Sequence, residues 1–163
     1  MQAQRIYKLI EGNVDAQPAI EAVVLLAKSK LDIFDVTLRD RGFTSPGRID
    51  ALRKTLLANR SMKIRVVLHQ PQSFAADFPR LIILMQQFSG NFAIHRTKGA
   101  ASDASDPLII ADGEHFWHKL HKDHPRSVMT LYDAVETQPW VDRFEEIWES
   151  SELAVSAFTV GLQ

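Results

Sequence analysis

The sequence contains no cysteine, which removes disulfide bonds, thiol nucleophiles and cysteine zinc sites together. Long hydrophobic runs are missing as well: charges or turn residues break every apolar stretch well before the roughly 20 residues that span a bilayer. The first stretch of chain carries no basic start followed by an apolar core, so no secretory signal is expected and the cytoplasm is the expected compartment. Charge of one sign is also lacking. With 19 basic against 20 acidic side chains, no global field draws in nucleic acid or an anionic membrane, although a local basic patch stays open. What is present, 45% hydrophobic residues in 163, suits one globular domain over 1–163 that buries its own core.

Apolar periodicity alternates between strand and helix along the chain. Arg5–Ile10 alternates weakly and reads as an edge strand, closed by Glu11-Gly12-Asn13. Asp15 is positioned to cap a helix with Pro18 in its first turn and Ile20, Val23, Val24 and Ala27 at helical spacing. Leu31–Val36 is apolar on both faces near its end, the mark of a central strand covered by helices on both sides. Ser45-Pro46 starts a helix whose stripe is Ile49, Leu52, Leu56 and Leu57, with Arg48, Arg53 and Lys54 mostly off it. Lys63–His69 is the next strand, completing a βαβ unit.

Pro71–Phe78 reads as a loop, followed by a helix to about Phe88 with Leu81, Leu84, Met85 and Phe88 buried. Asn91–Thr97 is a further strand, and Lys98–Ser105, rich in small polar residues, a flexible loop. Leu108–Ala111, the Asp112-Gly113 turn and Glu114–His118 form a hairpin, and Ser127–Tyr132 follows as a strand. Thr137 with Pro139 opens a last helix, Trp140, Phe144, Ile147 and Trp148 on one face and Glu145, Glu146 and Glu149 outward. The tail Leu153–Leu162 could add an edge strand. The expected fold class is therefore α/β, with a mixed, largely parallel sheet and helices on both faces.

The apolar strand ending in Asp112-Gly113 resembles the end of the His-x-Lys-x-x-x-x-Asp signature of the phospholipase D superfamily. The strand and helix order follows one such module, and Phe144-x-x-x-Trp148-x-x-Ser151 resembles the close of a divergent bacterial group of uncharacterised function. In some members of that group the module follows an acetyltransferase-like domain. With Asp112 on the motif's aspartate, Ser105 stands at the histidine position and Pro107 at the lysine position. The resemblance implies a histidine nucleophile, a phosphate-holding lysine and a second module that completes the site, and none of the six histidines has a lysine two residues on. It thus implies the fold without the family's phosphodiesterase activity. Serine cannot replace an imidazole nucleophile without an added base, and proline offers no cation.

In open α/β sheets ligands sit beyond the carboxyl ends of the strands, which here gathers Thr37, Arg39 and Asp40, then His69, then Arg96 and Lys98. Asp112 and His115 complete the candidate ligand-binding set. Each also has an ordinary reading, since short polar loops need no function and Asp-Gly is what a tight hairpin wants. Histidines at 115, 118, 121 and 124 invite a metal, but on a strand residues 115 and 118 point to opposite faces. No catalytic residue, metal or cofactor is therefore expected. The expectation is a non-catalytic binding or interaction module of unknown ligand, as a homodimer or with a protein partner, and away from membranes. The alternatives are an enzyme of altered mechanism using His69 or the His115–His124 cluster, and nucleic-acid binding without cleavage, less favoured by the charge balance.

Overall fold

The computed structural model describes residues 4–155. Its strands are β1 (Ile6–Glu11), β2 (Lys30–Asp35), β3 (Lys63–Leu68), β4 (Phe92–Thr97), β5 (Leu108–Ala111), β6 (His115–Lys119), β7 (Arg126–Leu131) and β8 (Ser151–Val155). The helices are α1 (Gly12–Leu26), α2 (Pro46–Ala58), α3 (Phe74–Asp77), α4 (Pro79–Gln87) and α5 (Ala134–Glu149), with a 3₁₀ segment at Gly99–Asp103. All eight strands join one sheet in the order β1-β7-β6-β5-β2-β3-β4-β8.

The mixed α/β class is as expected, with less parallel pairing than the sequence suggested. Only β2 with β3 and β3 with β4 run parallel; the other pairings are antiparallel. Hairpins after β5 and β6 leave no length for crossovers, which forces antiparallel neighbours there. The hairpin loop holds Asp112, Gly113 and Glu114, because Ala111 pairs with His115. Asp112 and Gly113 both take positive φ, 57° and 66°, and Glu114 N–H donates to the Ala111 carbonyl at 3.0 Å.

Two apolar layers flank the sheet, and strand alternation feeds both. Ile33 and Val66 point to the layer of Ile20, Val23, Ile49, Leu52, Leu56, Leu81, Leu84 and Met85, supplied by α1, α2 and α4. Phe34, Val67, Leu108, Ile110 and Phe116 point the other way, against Ala101, Phe144 and Ile147. Trp117 is core, while Trp140 and Trp148 are half-buried against the α5 layer.

Several local expectations change. Helix α1 begins at Gly12, placing Asp15 in its first turn rather than at the cap. Ser45 caps α2 as expected, accepting from Arg48 N–H, but Arg48 itself turns inward to Glu21 at 2.5 Å, under the Phe43 ring. Phe74–Asp77 forms a helical turn within the expected loop. The expected loop at 98–105 contains the 3₁₀ segment, anchored by buried Ala101 against α5. Helix α5 starts before Thr137, because Asp133 Oδ1 accepts from Glu136 N–H at 3.0 Å. Glu145 does not turn outward; it pairs with Arg65 and Lys30 on the sheet. Strand β8 fulfils part of the expected tail strand, and residues 156–163 lie outside the described residues. No helix among the described residues is long and apolar enough to cross a membrane.

Candidate functional site

At the carboxyl ends of β2, β3 and β4 the apolar alternation stops and polar side chains begin. Val36, His69, Gln70 and Thr97 there meet Ser102, Asp103, Ala104, Ser105 and Lys122 around a cleft of about 550 Å³. The pairing of Leu68 with Arg96 continues to set His69 beside Thr97. The His69 ring lies edge-on to Phe34, centroids 5.2 Å apart. Its Nε2 is 2.5 Å from the Ala104 carbonyl, which can only accept, so Nε2 carries a proton. Nδ1 lies 2.7 Å from Thr97 Oγ1, which donates to it when the ring is neutral. Both imidazole nitrogens are thus engaged. The bend after β6 is tied to the cleft by Lys122 N–H donating to the Ser105 carbonyl at 2.6 Å.

Two buried polar clusters stand behind this edge. On the α1 side, Arg41 approaches Asp35 at 2.8 Å and lies over the Trp117 ring. Burial pushes the Asp35 carboxyl up, opposed by Arg41. Burial also lowers the Lys119 ammonium, as does nearby Arg41, and its Nζ donates to the Lys122 carbonyl at 3.0 Å. On the α5 side, Asp106 accepts from His118 Nε2 and Arg143 Nε, each at 2.8 Å. Burial acts upward on Asp106, but the hydrogen bonds from His118 and Arg143 outweigh it and hold the carboxyl at about 2. The His118 ring packs on Trp140 at 3.9 Å.

Of the candidate residues, His69 lies in the cleft and Lys98 follows Thr97, exposed, its N–H donating to the Ser150 carbonyl. Arg39 and Asp40 border a separate hollow of about 340 Å³ with Thr44 and Asp77. Arg39 Nε donates to Asp77 Oδ2 at 3.1 Å, and Ser73 and Arg39 hold the Asp77 carboxyl below its usual range. Arg96 pairs with Glu152 at 3.1 Å on the surface. Asp112 and His115 sit at the opposite edge, because Ala111 pairs with Leu31 at the start of β2. There Asp112 accepts from the Lys28, Ser29 and Lys30 amides, and His115 Nδ1 accepts from Tyr132 N–H at 2.9 Å. Burial lowers the His115 imidazole.

The histidine series does not converge. His115 and His118 take opposite faces of β6, and His121 and His124 are exposed, each accepting a nearby backbone N–H. Among the described residues no group of three acidic or histidine side chains is arranged to hold a metal ion. Sequence reasoning missed Thr97, Ser102, Asp103 and Lys122 as cleft neighbours of His69. Thr97 was within reach, since neighbouring parallel strands ending together place their next residues side by side. Lys122 had no local signal, because the β6–β7 bend reaches the cleft only once the sheet is assembled.

The fold is that of the phospholipase D family. It is similar to Nuc from Salmonella typhimurium, a phospholipase D family member, at TM-score 0.61 and 13% identity over 94% of this chain and 100% of that one. NucT from Helicobacter pylori is similar at TM-score 0.58 and 12% identity, covering 93% of this chain and 100% of that one. TrmBL2, an archaeal chromatin protein described as showing a novel mode of DNA binding, matches at TM-score 0.65 and 16% identity over 91% of this chain. The present chain spans 54% of the length of TrmBL2. None of the curated proteins matches. A family model described as Domain of unknown function (DUF7931) matches residues 13–156.

Proposed function

The chain belongs to this family of domains of unknown function, and from that premise we propose that it is a phospholipase D-like module that binds its ligand without cleaving it. The observation that carries the reading is the state of His69. It is the imidazole in the cleft, and its nitrogens are held by Thr97 Oγ1 and the Ala104 carbonyl. A nucleophilic imidazole needs an unprotonated nitrogen aimed at the reacting atom, and this ring has none to spare. Ser105 and Pro107, at the positions the family resemblance assigns to histidine and lysine, provide neither nucleophile nor cation.

The cleft suits a polar or anionic ligand. Gln70, Ser102, Ser105 and Lys122 present donors, against one carboxylate, Asp103. A nucleic-acid backbone is the second reading, favoured by the DNA binding described for TrmBL2 and by exposed Lys98 and Lys122 at this edge. Neutralising two phosphates with these lysines gives a slope of log affinity on log salt of about −2 for duplex DNA.

The test pairs hydrolysis of bis-p-nitrophenyl phosphate with titration of single-stranded and duplex DNA at low and moderate salt. No hydrolysis above the blank is expected. Turnover that survives metal removal and repurification, and disappears in His69→Ala, overturns the non-catalytic reading. Salt-sensitive DNA binding weakened by Lys122→Glu supports the nucleic-acid reading, and binding with no salt dependence removes it.

A further inference from the structure

The two ends of the sheet are built differently. Strand β8 meets β4 through a register shift between Ile94 and His95, an irregularity that blunts an edge. Strand β1 has an unbroken ladder with β7 from Ile6↔Leu131 to Glu11↔Arg126, and no strand on its other side among the described residues. Gly12 N–H donates to the Pro125 carbonyl at 2.8 Å, one step beyond that ladder. Antiparallel bonds alternate, so residues 6, 8 and 10 turn their backbone groups to β7 while Arg5, Tyr7, Leu9 and Glu11 turn theirs outward.

Between its charged residues Arg5, Lys8 and Glu11 this edge exposes large apolar side chains, which an unpartnered edge ordinarily avoids. Tyr7 is 68% exposed, Leu9 56% and Ile6 43%. Ile10 packs into the α1 layer, which puts Tyr7 and Leu9 on the opposite face; α5 covers that face at β5 and β6.

We propose that β1 pairs with β1 of a second copy of this chain, antiparallel about a two-fold axis at Lys8, to make one sheet continuous across two molecules. The strand is self-complementary about that residue. Tyr7 faces Leu9 of the partner subunit, and Arg5 faces Glu11 of the partner subunit, each contact occurring twice. Arg5 already approaches Asp133 at 3.7 Å and Glu11 approaches Arg126 at 2.8 Å, so each crossing closes a row of alternating charge. The outward amides at 7 and 9 fall opposite each other as a hydrogen-bonded pair. A slip of two residues sets Tyr7 against Glu11 and Lys8 against Ile10, losing both matches. The like-charged Lys8 pair on the axis is the cost, and it marks the register.

Sedimentation equilibrium of the full chain tests this. The parent is expected to dimerise, and Tyr7→Lys and Leu9→Pro to sediment as monomers with unchanged far-UV circular dichroism. Leu9→Pro removes an N–H that points away from β7, so the ladder within the molecule stays intact. Should that variant unfold, the surface change Tyr7→Lys gives the same answer. A Lys8→Glu chain mixed with the parent is expected to form the mixed dimer severalfold more tightly than either forms with itself. A parent monomeric up to about 1 mM, the weak end of specific association, or a dimer that both edge variants leave intact, overturns the proposal. Absence of preference in the Lys8→Glu mixture overturns the two-fold at Lys8.

Discussion

Replacing Asp112 by Asn separates two explanations for the same residue. As a turn former, Asp112 is interchangeable with Asn, since Asn-Gly and Asp-Gly suit the positive φ values of this hairpin equally. The carboxylate does more than turn the chain. Its Oδ1 lies 2.9 Å from Ser29 N, 2.9 Å from Lys30 N and 3.0 Å from Ser29 Oγ, and its Oδ2 lies 3.1 Å from Lys28 N. It is the anion gathered by the bend between α1 and β2. Hydrogen bonds to a charged acceptor are roughly twice as strong as neutral ones, at about 1.5–3 kcal/mol each when shielded from water. Lys28 and Ser29 are exposed and water recovers part of the loss, so Asp112→Asn is expected to cost about 1.5 kcal/mol in all. For a domain of this size that lowers Tm by about 3–6 °C. Urea unfolding followed by circular dichroism measures it, and Asp112→Ala, which also strains at positive φ, should lose more. An Asn variant within about 0.3 kcal/mol of the parent refutes the anion-receptor role and leaves the turn alone.

Other consequences concern the charged groups packed under α5. Asp106, held at about 2 against an ordinary 3.8, adds stability that is present above pH 3.8 and lost as pH falls through 2. The difference in unfolding free energy between the parent and Asp106→Asn, on the order of 2 kcal/mol at pH 5, should therefore shrink between pH 4 and 2; a difference flat across that window contradicts the pairing with His118 and Arg143. Arg65 donates to buried Asp32 at 2.9 Å and to Glu145, stacked against Phe144 and Trp148. Arg65→Ala leaves the buried Asp32 carboxylate with only Lys30, 3.6 Å away, and should cost about 3 kcal/mol, whereas Arg65→Met with Asp32→Asn should recover much of that loss. Equal loss in both variants would mean that neutralising Asp32 and refilling the space recovers nothing, which refutes the uncompensated-carboxylate reasoning.

Much of the fold is legible in the sequence because its determinants are local. Ser45 followed by Pro46 specifies the start of α2 through a cap and a preset φ, whatever surrounds it. The two-faced apolar runs at Leu31–Phe34 and Ile64–Leu68 announce central strands, since only a sheet covered on both sides buries adjacent residues. The α5 start was misread because Thr137 and Asp133 are both cap residues. The choice fell to Asp133 through the Glu136 amide, while Thr137 buries its side chain and donates to the Asp133 carbonyl.

The candidate site was less legible, and for a topological reason. His69, Arg39, Asp40, Arg96, Lys98, Asp112 and His115 were each reasonable from residue type and strand position. The separation of Asp112 and His115 from His69 follows from strand direction: β5 runs against β2, so the turn after it lies at the far edge, whereas Arg39 and Arg96 stay at the His69 edge but turn to Asp77 and Glu152. The set of elements and the residues at positions 105 and 107 can be read without the fold, because periodicity, capping and residue identity are properties of short stretches. Which polar groups share a cleft, and that His69 has its nitrogens bound by Thr97 and Ala104, depends on contacts between distant segments. Those partners lie 28 and 35 residues away along the chain, and only the assembled sheet brings them within hydrogen-bond reach.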